Sequence, residues 1–267
     1  MVHRFHQLFK TSRPLLGMLH LPPLPGSPHY AGKRKNIIDA ALQDAQVLLE
    51  AGFAGLIIEN LGDAPYYPDH APAETVAAMS VVAAHVRQQT KLPVGVNVLR
   101  NDAQSAMAIA AAADLQFIRV NVLIGTSVTD QGLLSGQAHL VARKRQQLHA
   151  ENVLIFADLR VKHAAPLVER ELAQEIDDLF ERALADAIIV SGTGSGKPVD
   201  ANFLRDVKKI AGERPVLIGS GLNVENAKAL LTVADGAIVG SSIKIDGKIQ
   251  NRVDEKRTRR LLELIKS

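Results

Sequence analysis

Eight short apolar, β-prone runs recur along the chain, each followed by a stretch of helical periodicity, and this alternation narrows the fold more than any other feature. The runs cover 15–20, 54–60, 93–99, 117–122, 153–160, 187–191, 215–220 and 237–241. Several are rich in Val and Ile and apolar at consecutive positions, as parallel strands buried on both faces are. Helical patterns fill 36–51, 72–90, 102–113, 137–150, 168–184, 200–211, 223–233 and 254–266. In the first of these, Ile37, Ile38, Ala41, Leu42, Ala45, Leu48 and Leu49 recur at helical spacing, and Gly52 supplies a stop. Asp102, Asp200 and Asn223 stand where N-caps belong, and Glu225 follows in the first turn after Asn223.

Eight β–α alternations predict an α/β fold, a parallel sheet covered by helices, and the count and length fit a (β/α)8 TIM barrel. A doubly wound open sheet is the competitor, but it ordinarily has fewer strands and a Gly-rich first turn. Here the early turn at 21–28 is rich in proline instead. No linker divides the 267 residues, so one barrel domain is expected, with 1–13 as a short N-terminal extension.

Composition excludes several classes. A hydrophobic fraction of 47% and a charged fraction of 22% are globular values, so a disordered chain is excluded. There is no Cys, which removes disulfides, zinc-thiolate and iron–sulfur sites and a thiol nucleophile together. With 4% aromatics and no Trp, an aliphatic core is expected. Net charge is only +3, too little to argue for nucleic acid. The one basic cluster, Lys256-Arg257-Arg259-Arg260, adjoins Leu261, Leu262 and Ile265 and reads as the solvated face of a closing helix; a membrane or nucleic-acid contact is the weaker alternative. No apolar run reaches transmembrane length, and the start lacks the apolar core of a secretion signal. A soluble cytoplasmic protein that associates into homo-oligomers is expected.

In such a barrel the active site gathers at the carboxyl ends of the strands. The polar residues ending the runs are His20; Glu59 and Asn60; Asn97; Arg119 and Asn121; Asp158, with Lys162 and His163 beyond it; Ser191 and Thr193; Ser220; and Ser241 with Ser242. Period-two alternation puts Glu59 on the face of Ile57, Asn97 on that of Gly95, and Arg119 with Asn121. A buried Arg119 needs carboxylates or a ligand anion, and Glu59 and Asp158 are available. A Glu59–Arg119–Asp158 network that merely supports the barrel is the alternative. Glu59 and Asp158 are candidates for general acid and base, His20 and His163 for proton carriers, and Lys162 for a Schiff-base amine. A divalent metal is a candidate only through Glu59, Asp63, Asp158 and His20, with no local ligand spacing to mark it; no cofactor is otherwise expected.

The last third points to an anion. Run seven ends in Gly219-Ser220-Gly221-Leu222-Asn223 and run eight in Gly240-Ser241-Ser242, the strand ends where this fold commonly holds phosphate. Glycine permits close backbone approach, and a helix start after Asn223 would add unpaired N–H groups. After run six, Gly192-Thr193-Gly194-Ser195-Gly196-Lys197-Pro198 echoes a nucleotide P-loop, but the residue five places beyond Gly192 is Lys197 rather than Gly, and Pro198 follows it. A glycine-rich lid with Lys197 as counter-ion is one reading, a plain turn the other.

The segment Gly17-Met18-Leu19-His20-Leu21-Pro22-Pro23-Leu24-Pro25-Gly26-Ser27-Pro28 resembles the first-strand signature of the BtpA/SgcQ family. Glu59-Asn60-Leu61-Gly62-Asp63-Ala64-Pro65, Arg119-Val120-Asn121, Ala157-Asp158 with Val161-Lys162-His163, and the glycine-rich stretch are similar to it as well. Leu61 stands where the family usually has Phe, and Tyr66 replaces its usual aromatic after Pro. The resemblance implies a TIM barrel of the phosphate-binding type. Cyanobacterial members are linked to photosystem I reaction-centre accumulation, and enteric members lie among sugar-uptake genes.

Two readings compete: an isomerase or aldolase-type lyase acting on a sugar phosphate or another small phosphorylated metabolite, and a non-catalytic metabolite-binding regulatory or assembly factor. Nucleotide hydrolysis at the glycine-rich stretch is a weaker third.

Overall fold

The computed structural model describes residues 3–192, 194 and 196–266. Eleven strands are present among them: β1 (Leu15–His20), β2 (Gly55–Glu59), β3 (Val94–Asn97), β4 (Phe117–Val120), β5 (Thr126–Thr129), β6 (Gly132–Ser135), β7 (Leu154–Leu159), β8 (Ala164–Pro166), β9 (Ala187–Val190), β10 (Val216–Ile218) and β11 (Gly236–Val239). Eight of them, in the order β1-β2-β3-β4-β7-β9-β10-β11, close into a parallel barrel, with β11 returning to β1. The other three, β5, β6 and β8, form a small antiparallel sheet beside the mouth that the sequence reading missed.

The helices are α1 (Arg4–Leu8), α2 (Arg34–Ala51), α3 (Ala73–Gln89), α4 (Ala103–Ala112), α5 (Ala138–Gln147), α6 (Leu172–Asp177), α7 (Ala201–Ala211), α8 (Ala227–Leu231) and α9 (Glu255–Lys266). After α1, one α-helix lies between each barrel strand and the next and α9 follows β11, as a (β/α)8 topology requires. Two expected caps are in place: the Asp102 carboxylate accepts from Ser105 N–H, and Asp200 accepts from Asn202 and Phe203 N–H. Asp44 of α2 is a buried anchor for the chain leading into α9. It accepts from Lys244 Nζ (2.9 Å), Arg252 Nε (2.8 Å) and Val253 N–H (3.0 Å).

Alternation along the strands sorts residues into two cores. Outward-facing positions such as Leu19, Ile58, Val96 and Ile118 pack against the helices, while inward positions fill the barrel. The interior corrects the expectation of an aliphatic core. Phe5, Phe9, Phe117 and Phe156 gather there, with the Phe117 and Phe156 rings stacked 4.6 Å apart. Gly95 makes room, because a Cβ there would lie 2.2 Å from the Phe117 ring. The expected N-terminal extension supplies half of this cluster: α1 lies across the amino-terminal mouth, Phe5 fully buried beneath Phe156 (centroids 5.7 Å apart) and Arg4 bonded to Asp186 (3.1 Å).

Candidate functional site

The inward parity that carries the apolar layers runs on into a polar one at the carboxyl ends. Leu16 and Met18 lead to His20, Ile57 to Glu59, Gly95 to Asn97, Phe117 to Arg119 and Asn121, Leu154 and Phe156 to Asp158, Leu217 to Gly219, and Ile238 to Gly240. The register places His20 opposite Glu59 and Glu59 opposite Asn97. The carboxylates and the late glycine turns thus share one mouth. A single small cavity is lined by His20, Glu59, Arg119 and Lys162 together with Gly219, Ser220, Gly221, Gly240 and Ser241.

Glu59 is buried. Its Oε2 accepts from Asn97 Nδ2 (2.8 Å), and its Oε1 lies 3.6 Å from His20 Nε2. Burial holds His20 well below its ordinary 6.5, and the Lys244, Lys162 and Arg119 charges push it further down. The imidazole is therefore neutral at pH 7, and its Nδ1 is buried with no partner among the described residues. His20 meets Glu59 as a neutral polar neighbour.

Asp158 is committed to Arg119. The guanidinium donates through Nε (3.2 Å) and Nη2 (2.9 Å) to its two oxygens, and Asn121 Nδ2 adds a third bond of 2.7 Å. Burial opposes the charge on Arg119, but the Asp158 and Glu59 carboxylates outweigh it and keep the guanidinium protonated. This geometry divides the expected Glu59–Arg119–Asp158 network. Arg119 bonds to Asp158 alone among the described carboxylates, Glu59 keeps its own partners, and Asp158 orients Arg119 and Asn121 without lining the cavity that Glu59 lines.

Lys162 enters the cavity from the segment after β7. Its ammonium makes no hydrogen bond or ion pair among the described residues. Burial lowers its pKa below 10.5, the Arg119 charge lowers it further, and Glu59 acts in the opposite sense. Arg100, absent from the sequence reading because it lies one residue past the third run, is 5% exposed and donates to the Lys162 carbonyl (2.7 Å). His163 is more exposed, left-handed at φ 56°, and held below its ordinary value by partial burial and then by Lys162.

The glycine turns are built differently from expectation. Run seven does not open directly into a long helix: α8 begins only at Ala227 and has five residues. The intervening turn uses its own amides, since Asn223 N–H donates to Asn226 Oδ1 and the N–H groups of Glu225 and Asn226 donate to Asn223 Oδ1. The Asn223 side chain is a cap, and the helix-end charge invoked for an anion is largely satisfied. Gly221 (φ 73°) and Gly192 are required by chain packing, because a Cβ on either would lie within 2.4 Å of the Lys197 carbonyl oxygen. Ser220 Oγ accepts from Gly192 N–H (3.0 Å) and so fastens the two loops. Among the described residues no acceptor is found for the N–H groups of Gly221, Ser241 and Ser242, which leaves these free to meet a ligand. Gly194 approaches His163 and Gly196 approaches Ser241, so these two glycines lie beside the mouth. Lys197 does not line the cavity. Thr193, also expected to bind phosphate, lies outside the described residues.

No three His, Asp or Glu side chains are grouped to hold a metal among the described residues. Of the four expected ligands, Asp63 accepts instead from Leu24 N–H (2.7 Å) and Asn60 Nδ2 (3.0 Å), and Asp158 is paired with Arg119. A donor set so divided does not fit a divalent cation. No helix among the described residues is long and apolar enough to cross a membrane.

Fold and site together define a closed (β/α)8 barrel with a charged, lysine- and carboxylate-bearing mouth. Residues 11–267 match the BtpA family, and the chain belongs to it. A protein of Thermococcus kodakarensis is 48% identical over 95% of both chains. The photosystem I biogenesis protein BtpA of Synechocystis is 42% identical, over 96% of this chain and 89% of its own. Among solved structures, KGPDC from Streptococcus mutans superposes with a TM-score of 0.60 at 12% identity, covering 96% of this chain and 98% of that one. N-(5'-phosphoribosyl)anthranilate isomerase from Pyrococcus furiosus gives 0.58 at 12% identity, with coverages of 95% and 98%. At such identities the likeness speaks for the fold.

Proposed function

We propose that this barrel is an enzyme of the sugar-phosphate isomerase or aldolase-type lyase class, acting on a small phosphorylated metabolite. The observation that carries the reading is the single cavity lined by Glu59, Arg119 and Lys162 together with Gly221 and Ser241, the Lys162 ammonium and the two amides being unpartnered among the described residues. The amides would take the phosphate. Glu59 would move a proton beside the carbonyl carbon, and Arg119 and Lys162 would stabilise the enediolate oxygen. In the lyase variant, Lys162, once it has given up a proton, attacks the carbonyl carbon and water leaves, giving a Schiff base; its lowered pKa favours that loss.

A thermal-shift screen of sugar phosphates, followed by turnover assays of the hits, tests the reading. Stabilisation by a phosphorylated sugar but not by its unphosphorylated form, lost in Gly221→Asp, is expected. Turnover should disappear in Glu59→Gln with binding retained. Failure of every phosphorylated compound to stabilise the protein would overturn it.

The second reading, a metabolite-binding assembly or regulatory factor, is favoured by the name of the Synechocystis relative and by the commitment of Asp158 to Arg119. It predicts that Glu59→Gln keeps full biological activity in cells while Gly221→Asp abolishes it.

A further inference from the structure

A second cavity, about 480 Å³, adjoins the first, and Gly221 and Ser241 belong to the walls of both. Its volume is in the range that houses small molecules, roughly 300–1,000 Å³. Leu222 and Leu261 give it an apolar side, and Arg257 and Arg260 reach it from α9. These two arginines are three positions apart and so lie on one face of the helix. Neither guanidinium has an ion pair or hydrogen bond among the described residues, whereas Arg259 of the same helix pairs with Glu255 (2.8 Å). Ser242 Oγ, on the same wall, is buried without a partner among the described residues. One carboxylate, Glu225, also lines the space.

We propose that the substrate carries two phosphoryl groups, one at the free amides of Gly221 and Ser241 and the other between Arg257 and Arg260. This rests on the phosphate reading above and narrows it to a diphosphate or a bisphosphate. A guanidinium is permanently charged and presents a planar fork that matches phosphate oxygens, and two of them on one helix face, facing a cavity and otherwise unpaired, form a receptor for such a group. The basic cluster that reads in sequence as solvated surface is thereby divided by the fold: Arg257 and Arg260 face the cavity, and Arg259 does not.

Titration calorimetry with inorganic phosphate, pyrophosphate, fructose 6-phosphate and fructose 1,6-bisphosphate tests this. In the wild type, pyrophosphate should bind about tenfold tighter than phosphate, or the bisphosphate about tenfold tighter than the monophosphate, the gain of one charge-assisted contact. Which pair shows the gain tells adjacent phosphoryl groups from separated ones. The gain should vanish in Arg257→Ala/Arg260→Ala while phosphate itself still binds, and it should persist in Arg259→Ala, which removes a guanidinium from the same helix but not from the cavity. A gain that survives the double substitution, or no gain with either pair, overturns the proposal and leaves the single-phosphate reading standing. If none of the four compounds binds, the proposal falls, and the sugar-phosphate screen above decides the reading on which it rests.

Discussion

Asp158 and Glu59 are buried carboxylates within one polar layer, and their hydrogen bonds separate their work. Asp158 is spent on Arg119 and Asn121, so removing Arg119 strands a buried anion. Arg119→Met should destabilise the fold by about 3–5 kcal/mol, read as a shift in urea midpoint. A change below ~1 kcal/mol would mean that the pair is solvated. His20 gives a pH signature. Its folded pKa lies below the unfolded 6.5, so below that pH the unfolded chain binds a proton that the folded chain refuses. Stability should therefore fall as pH drops through 6.5 toward the folded value, and His20→Asn should flatten that part of the curve relative to wild type. Equal slopes in both proteins would rule out the buried neutral imidazole. His20, Glu59, Asn97, Arg119, Asn121 and Asp158 could be read in the sequence as the polar ends of the apolar runs, with period-two alternation adding the facing of Glu59, Asn97, Arg119 and Asn121. Which carboxylate Arg119 takes could not, because register and the tilt of neighbouring strands decide it.

Among the elements, seven of the eight barrel strands lie within their expected runs and β11 starts one residue early, at Gly236, since continuous apolar runs leave little choice of partner. The small sheet of β5, β6 and β8 escaped because its strands are only three or four residues long and, Leu134 apart, partly or fully exposed, too short to show a hydrophobic period. Helix α8 is shorter than the expected 223–233 because the Asn223–Asn226 side chains satisfy the turn's amides before the helix begins. Arg257 and Arg260 were visible as charges, but only the course of α9 over the mouth gives them a cavity. The loop clasp offers the sharpest test at this scale. Gly221 is left-handed and abuts the Lys197 carbonyl, so Gly221→Ala should cost about 1–3 kcal/mol in backbone strain and loosen the glycine-rich stretch. Thermal unfolding and limited proteolysis between 192 and 198 would register it; unchanged stability and cleavage would show that the two loops are not mutually locked.

Across the whole molecule, the aromatic cluster ties the N-terminal segment to the barrel. Phe5→Ala should destabilise by about 3–5 kcal/mol, measured by urea denaturation. A loss under ~1 kcal/mol would make α1 an appendage. Composition had suggested an aliphatic interior, and the exception arises because more than half of the seven Phe residues are concentrated at one end of the barrel.

That aromatic floor has a kinetic corollary. With rings stacked under the polar layer and α1 across the far opening, the site is a blind alley with one door. A ligand of this mouth would enter and leave by the same passage, beside Gly194 and Gly196.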